Sequence, residues 1–190
     1  PLRPFRVDEA GFPLEFSKRI LSMTRLMLGF VCLTCAASAQ QGPVMSAVRA
    51  QYEGVKRNFV EAAKVMPEEN YGYKLTPEQR AFGGWVEHTA GMNLRMCSTA
   101  KGETAPAVAP GQSKDALVKA IEASFAYCDG VIGSMTDEAA LRVISENPKR
   151  TALDVLISQI AQLNSHYGNM VGYLRTKGIT PPSTARNQKK

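Results

Sequence analysis

The chain has 190 residues, 44% hydrophobic and 7% aromatic, with a formal charge of +6 and a pI near 9.2; that suits one core rather than two domains. The charge does not describe a nucleic-acid surface, because residues 1–39 hold five Lys/Arg against three Asp/Glu, residues 175–190 hold five and no acid, and the stretch between holds thirteen against fourteen. Nucleic-acid recognition needs Lys and Arg gathered on a folded face, and a basic tail beside a neutral body is not one.

Near the start, Met23-Thr24-Arg25 leads into an apolar run from Leu26 to Ala37, followed by Ala37-Ser38-Ala39. A basic flank, about a dozen apolar residues and a small-x-small site form the pattern of a secretory signal, and the run is shorter than the ~20 residues of a membrane span. Residues 23–39 are therefore expected to be a signal peptide cut after Ala39, leaving no stable membrane span and a periplasmic or secreted product. Residues 1–22 then lie upstream of the initiator, Met23. A lipoprotein would need small residues before Cys32 or Cys35, where Val31 and Thr34 stand behind Phe30 and Leu33. An amphipathic N-terminal helix has the same composition as such a run and is the other reading.

From Pro43 to Met66, Val44, Val48, Tyr52, Val55, Phe59, Ala62 and Met66 mark one face of a first helix, which stops at Pro67. The aperiodic stretch through Tyr71 and Tyr73 reads as an ordered loop. Thr76-Pro77-Glu78-Gln79 reads as a capping box, so a second helix is predicted from Pro77 to about Thr99. Its apolar face is Phe82, Trp85 or Val86, Thr89, Met92 or Asn93, and Met96, with His88 on or beside it. Lys101 to Gln112 is a Gly-, Pro- and Ala-rich linker of about a dozen residues, long for a hairpin.

Ser113 caps a third helix, in which Leu117, Ile121, Phe125, Cys128, Ile132 and Met135 step by three and four. A short extra helix is predicted from Thr136 to about Val143. Asn147-Pro148 breaks the chain, Thr151 with Asp154 caps a long fourth helix to about Lys177, and Gly178 with Pro181-Pro182 ends it. On that helix Leu153, Leu156, Ile160, Leu163, Tyr167, Met170 and Leu174 form an apolar seam. Beside the seam runs a polar stripe of Gln159, Gln162, His166 and Asn169, which suits a cavity lining or a hydrogen-bonded helix interface. No strand and no internal repeat is read. The pattern is all-α, a four-helix bundle over residues 40–183, with a basic disordered tail at 184–190.

Four pieces stand out in order: Met66-Pro67-Glu68-Glu69-Asn70-Tyr71, Gly84-Trp85-Val86-Glu87-His88-Thr89-Ala90, His166-Tyr167-Gly168-Asn169, and Tyr173-Leu174-Arg175 with Pro181-Pro182. Together they resemble the DinB-like family across essentially all of residues 44–183. The resemblance implies an up-down-down-up bundle with a long helix-two to helix-three crossover. It also implies a divalent metal, zinc or nickel, held by one histidine of helix two and an HxxxH pair on a later helix. His88 matches the first ligand and His166 the second member of the pair, but Gln162 stands where the first member belongs. A carboxamide oxygen is a weaker ligand than imidazole for these metals, so the expected site is His88, His166 and Gln162, weakly held, or two hydrogen-bonded histidines without metal. Trp85, Gln159 and Asn169 are the expected pocket residues, with Tyr71 a further wall. Glu87 and Asp154 read as a solvated charge and a cap.

Cys32 and Cys35 leave with the signal, so Cys97 and Cys128 remain, in a compartment that permits a disulfide. In an up-down hairpin the two would be on the order of 20 Å apart. The parallel helices two and three that the resemblance implies bring them to one end, and on that topology a Cys97–Cys128 disulfide is expected; two small buried thiols are the other outcome. Neither has a sequence neighbour that lowers its pKa, so no catalytic cysteine is expected.

Three functions remain open. One is an exported DinB-like protein with a degenerate histidine site that binds a small molecule or a partner. The second is a metal-dependent thiol S-transferase or hydrolase using His88 and His166, as the resemblance implies; the thiol cosubstrates of such relatives are cytosolic. The third is a structural bundle. The resemblance also implies a homodimer. No phosphate loop, Ser/His/Asp order or paired-carboxylate site is present in the pattern.

Overall fold

A computed structural model describes residues 42–108 and 111–188. The upstream segment 1–22, the signal 23–39 and the last two residues of the basic tail lie outside the described residues. The elements are α1 (Pro43–Val65), a 3-10 turn (Glu68–Asn70), α2 (Phe82–Lys101), α3 (Lys114–Ser134), α4 (Asp137–Leu141), a hairpin of β1 (Val143–Glu146) and β2 (Lys149–Thr151), α5 (Ala152–Thr176) and α6 (Pro182–Asn187). Among the described residues no helix is long and apolar enough to cross a membrane.

The four long helices form because each carries an apolar stripe at helical spacing. On α1, Val48, Tyr52, Val55, Phe59 and Ala62 are all buried. Phe59 and Phe125 are essentially solvent-free with ring centroids 6.2 Å apart, and burying such a side chain is worth roughly 1.5–3 kcal/mol. Met66 turns to extended backbone before Pro67, which disfavours helix in the residue ahead of it, and α1 ends. Ser113 caps α3 by accepting from Ala116 N–H at 3.3 Å. Thr151 and Asp154 form the capping box of α5. Gly178, at φ 72°, closes α5, with Ile179 N–H donating to the Leu174 carbonyl at 2.9 Å.

Side-chain pairs give the directions. Between α1 and α3, Arg49 meets Ile132, Lys56 meets Asp129, and Lys64 meets Glu122, a descending series that makes them antiparallel. Between α2 and α3, Asn93 meets Ser124 and Cys97 meets Cys128, an ascending series that makes them parallel. Between α2 and α5, Trp85 meets Tyr173, Thr89 meets His166, and Asn93 meets Gln159, again antiparallel. The order is therefore up-down-down-up, and the segment between α2 and α3 has to return along the bundle.

Three expectations are corrected. The second helix begins at Phe82 rather than Pro77. Residues 76–79 close only a turn, and the first amides of α2 are taken up elsewhere, with Phe82 N–H donating to the Tyr73 carbonyl (2.9 Å) and Gly83 N–H to the Tyr71 carbonyl (2.8 Å). Strands are present, since β1 and β2 pair antiparallel with Glu146 opposite Lys149 across Asn147-Pro148; runs of four and three half-exposed residues are too short to show alternation. The tail is helical from Pro182 to Asn187, where Arg186 pairs with Glu61 and Ser183 Oγ lies 2.8 Å from the Tyr167 hydroxyl.

Two ends cap each other. Gly42 offers no side chain to the start of α1, and Asp137, at the start of α4, accepts instead from Val44 N–H (3.1 Å) and Met45 N–H (2.8 Å). A side chain at Gly42 would occupy the place of that carboxylate. In return Arg49 of α1 donates to the carbonyls of Ile132 (2.8 Å) and Met135 (2.7 Å) at the end of α3. Asp137→Ala and Arg49→Met should each lower the unfolding free energy by about 1–2 kcal/mol in a urea titration. Lys64→Met, which breaks a solvent-exposed pair with Glu122, should cost less than about 1 kcal/mol.

Candidate functional site

The facing sides of α2 and α5 carry two polar layers with different access to solvent. The inner layer is sealed. Gln159, Asn93, Ser124, Cys97 and Cys128 are all without exposure. The two cysteines are at disulfide distance, with Cα atoms 5.5 Å apart. Gln159 Nε2 donates to Asn93 Oδ1 at 3.0 Å and lies 3.2 Å from each sulfur. Asn93 Nδ2 donates to Ser124 Oγ (3.3 Å), which donates to the Ile121 carbonyl (2.8 Å). Buried polar groups are costly unless paired, and here the layer satisfies itself.

The outer layer reaches solvent only through Trp85 and His88, both half-buried. His166 is 8% exposed, and its Nδ1 is 3.2 Å from Thr89 Oγ1. Half-buried His88 faces it with ring centroids 5.1 Å apart, and Trp85 lies 5.2 Å from His166 and 6.3 Å from His88. Trp85 Nε1 donates to the Tyr173 hydroxyl at 3.3 Å, and that hydroxyl donates to the Arg80 carbonyl. The Arg80 guanidinium lies over the Trp85 ring, 5.7 Å from its centroid. Tyr173 thus holds both the indole and the strand leading into α2.

Both histidines are pushed below their ordinary value of 6.5. For His88 the causes are burial, then the positive charges of Arg80 and Arg95. For His166 they are burial, then His88, then Arg80. At neutral pH both rings are therefore uncharged, each with one N–H donor and one lone pair.

The expected site residues divide. His88, His166 and Trp85 are brought together. Gln162 is exposed, and its amide lies against Met96 Sδ at 3.6 Å rather than against the imidazoles. Gln159 is locked in the sealed layer and lines no opening. Asn169 is half-buried, with its amide donating to the Ser165 carbonyl of its own helix at 3.0 Å. Gln162 and Asn169 share a stripe turned about 60° from that of Gln159 and His166, because three residues advance a helix by about 300°. Tyr71 is buried, and its hydroxyl donates to the Ala63 carbonyl of α1 rather than facing the imidazoles.

This donor set does not fit a three-histidine metal centre. His166 Nδ1 is engaged by Thr89, which leaves one ring nitrogen there and one on His88. Among the described residues no group of three His, Cys, Asp or Glu is placed to hold an ion. Catalytic zinc usually has three protein ligands. The reading of the residues missed Thr89, Arg80, Arg95 and Tyr173 as parts of the site. Thr89 was legible only as the position beside His88, and the other three become neighbours through tertiary packing.

The chain is an all-α four-helix bundle in up-down-down-up order, with His88 and His166 facing each other between α2 and α5. No family model matches the chain, and no curated protein matches it. Among solved structures it is similar to a conserved protein from Enterococcus faecalis (17% identity, TM-score 0.60, covering 70% of this chain and 96% of that one). It is also similar to a DinB-like protein, YjoA, from Bacillus subtilis (18% identity, TM-score 0.59, covering 70% and 93%). At this identity the likeness shows the fold, a DinB-like bundle.

The depressed histidines give a pH dependence of known sign. Below the ordinary histidine value of 6.5 the unfolded chain binds protons that the folded rings refuse. Stability held above that pH is therefore lost as the pH falls through the folded values. Urea titrations at about pH 7 and about pH 5 should show the loss, and a His88→Gln, His166→Gln double variant should show less of it.

Proposed function

We propose that the chain is an exported DinB-like bundle that binds a small molecule at the ring cluster of Trp85, His88 and His166, and that it works without a resident metal. The observation that carries this reading is the composition of the open layer. Two uncharged imidazoles share a half-exposed patch with an indole, while Gln162, the residue in the third ligand's place, is turned to Met96. Such a patch supplies hydrogen-bond donors and acceptors beside apolar ring faces, the usual make-up of a small-molecule site. Export is supported by the signal-like residues 23–39 and by the Cys97–Cys128 pair, since disulfides persist in oxidising compartments.

Metal-dependent transferase or hydrolase chemistry ranks below this reading. It requires an ion that lowers the pKa of a bound thiol or water, and two ring nitrogens supply fewer donors than such ions take. After loading with zinc or nickel and dialysis, the protein without a histidine tag should hold well under one metal per chain by elemental analysis. About one per chain, abolished by His88→Ala or His166→Ala, would overturn the reading. Gln162→His restores the missing imidazole one helical turn from His166 and should tighten zinc binding about tenfold or more.

A further inference from the structure

The solvent side of α5 carries no charge along most of its length. Between Val155 and Leu174 the sequence contains no Asp, Glu, Lys or Arg, although Ile157, Ala161, Asn164, Ser165 and Gly168 are exposed there. A surface helix ordinarily places charged residues on that side, as α1 does at Glu53, Arg57, Glu61 and Lys64. The side of α1 that turns to α5 is uncharged too over about three turns, where Val44, Ala47, Gln51 and Gly54 step by three and four. Between the two helices runs a groove of about 330 Å³, and of its seven lining residues only Gln51 is polar. Ile157 stands on its wall, 54% exposed.

Loss of charge around an exposed apolar centre marks the middle of a protein interface, and the features of this face select a second copy of the chain as its occupant. In a two-fold contact each patch faces itself, so charges on it would be set against their own kind at a cost, and the groove and the α5 side beside it have none. The same face carries a projection, Ile157, and a hollow, the groove along Val44 and Ala47, as a self-matching contact requires. A Cβ at Gly54 or Gly168 would meet nothing within 4 Å, which leaves backbone open to close approach. About 20 residues of α5 rise ~30 Å and two helices side by side are ~20 Å across. The face thus presents roughly 600 Å², the lower edge of the about 600–1,000 Å² per partner of a stable interface. The chain's own α6 lies at the far end of α1, beside Glu61, and does not cover the groove. We propose that α1 and α5 form an isologous homodimer interface, with Ile157 of each copy seated in the groove of the other. Ile157 and His166 are about half a turn out of phase on α5, so this face and the ring cluster stand on opposite sides of the helix and are tested separately.

Sedimentation equilibrium of the purified chain from about 1 to about 100 µM should show a monomer–dimer equilibrium. Ile157→Glu and Ala47→Glu, on the two walls of the groove, should each raise the dimer dissociation constant at least about tenfold. Leu141→Glu, at an exposed apolar residue that ends α4, should leave it unchanged. All three positions are exposed, so far-ultraviolet circular dichroism should match the wild type; where one groove variant loses helicity, the other carries the comparison. A wild-type chain that stays monomeric at about 100 µM overturns the proposal. So does a dimer that tolerates both groove variants, or one that Leu141→Glu weakens as much as they do.

Discussion

Gln159 sits without solvent contact on α5, and its carboxamide reaches Asn93 on α2 and both sulfurs of the Cys97–Cys128 pair that joins α2 to α3. One side chain therefore ties three helices at one height. Sliding any of them by a turn would strand a buried amide, a penalty of about 1–3 kcal/mol per unpaired group. This requirement holds the register of α2 against α5, and the register decides which outer residues meet. One turn along α2 from Asn93 is Thr89, which meets His166, and the next positions are His88 and Trp85. The ring cluster of Trp85, His88 and His166 is positioned by the sealed layer beside it.

The parallel pairing of α2 and α3 is the second consequence. Neighbouring helices joined by short loops run antiparallel, and parallel neighbours need a connection that travels the length of a helix. α1 covers α3 in the opposite sense. Their ends then fall where Asp137 caps α1 and Arg49 caps the end of α3. Neither helix carries its own cap at those ends. The bundle has exchanged local capping for tertiary capping, which makes the helix ends dependent on assembly of the whole.

The two histidines face each other between α2 and α5 without a third imidazole beside them. Packing turns the Gln162 carboxamide to Met96 rather than toward the imidazoles. The two rings stand beside an indole whose face is covered by the Arg80 guanidinium.

The long helices were legible in the sequence, because apolar positions at steps of three and four on α1, α3 and α5 have only one efficient way to be buried. The caps at Ser113 and Thr151 and the stop at Gly178 were legible for a similar reason, since each acts within four residues. His88, His166 and Trp85 were identified through residue order and resemblance. The start of α2 was not, because the capping-box pattern at Thr76 competes with hydrogen bonds to Tyr71, Tyr73 and Tyr173 that lie outside any local window. The β1–β2 hairpin and the helix at Pro182–Asn187 were missed because segments of three to six residues have too little periodicity to read. The polar stripe on α5 was read as one row, and packing divided it into Gln159 and His166 inside, Gln162 and Asn169 outside. Local chemistry along the chain determined which segments are helical and which faces are apolar. Tertiary structure alone decided where α2 begins, which glutamine the core accepts and which rings gather between α2 and α5, because those outcomes depend on groups distant in sequence that meet only when the bundle closes.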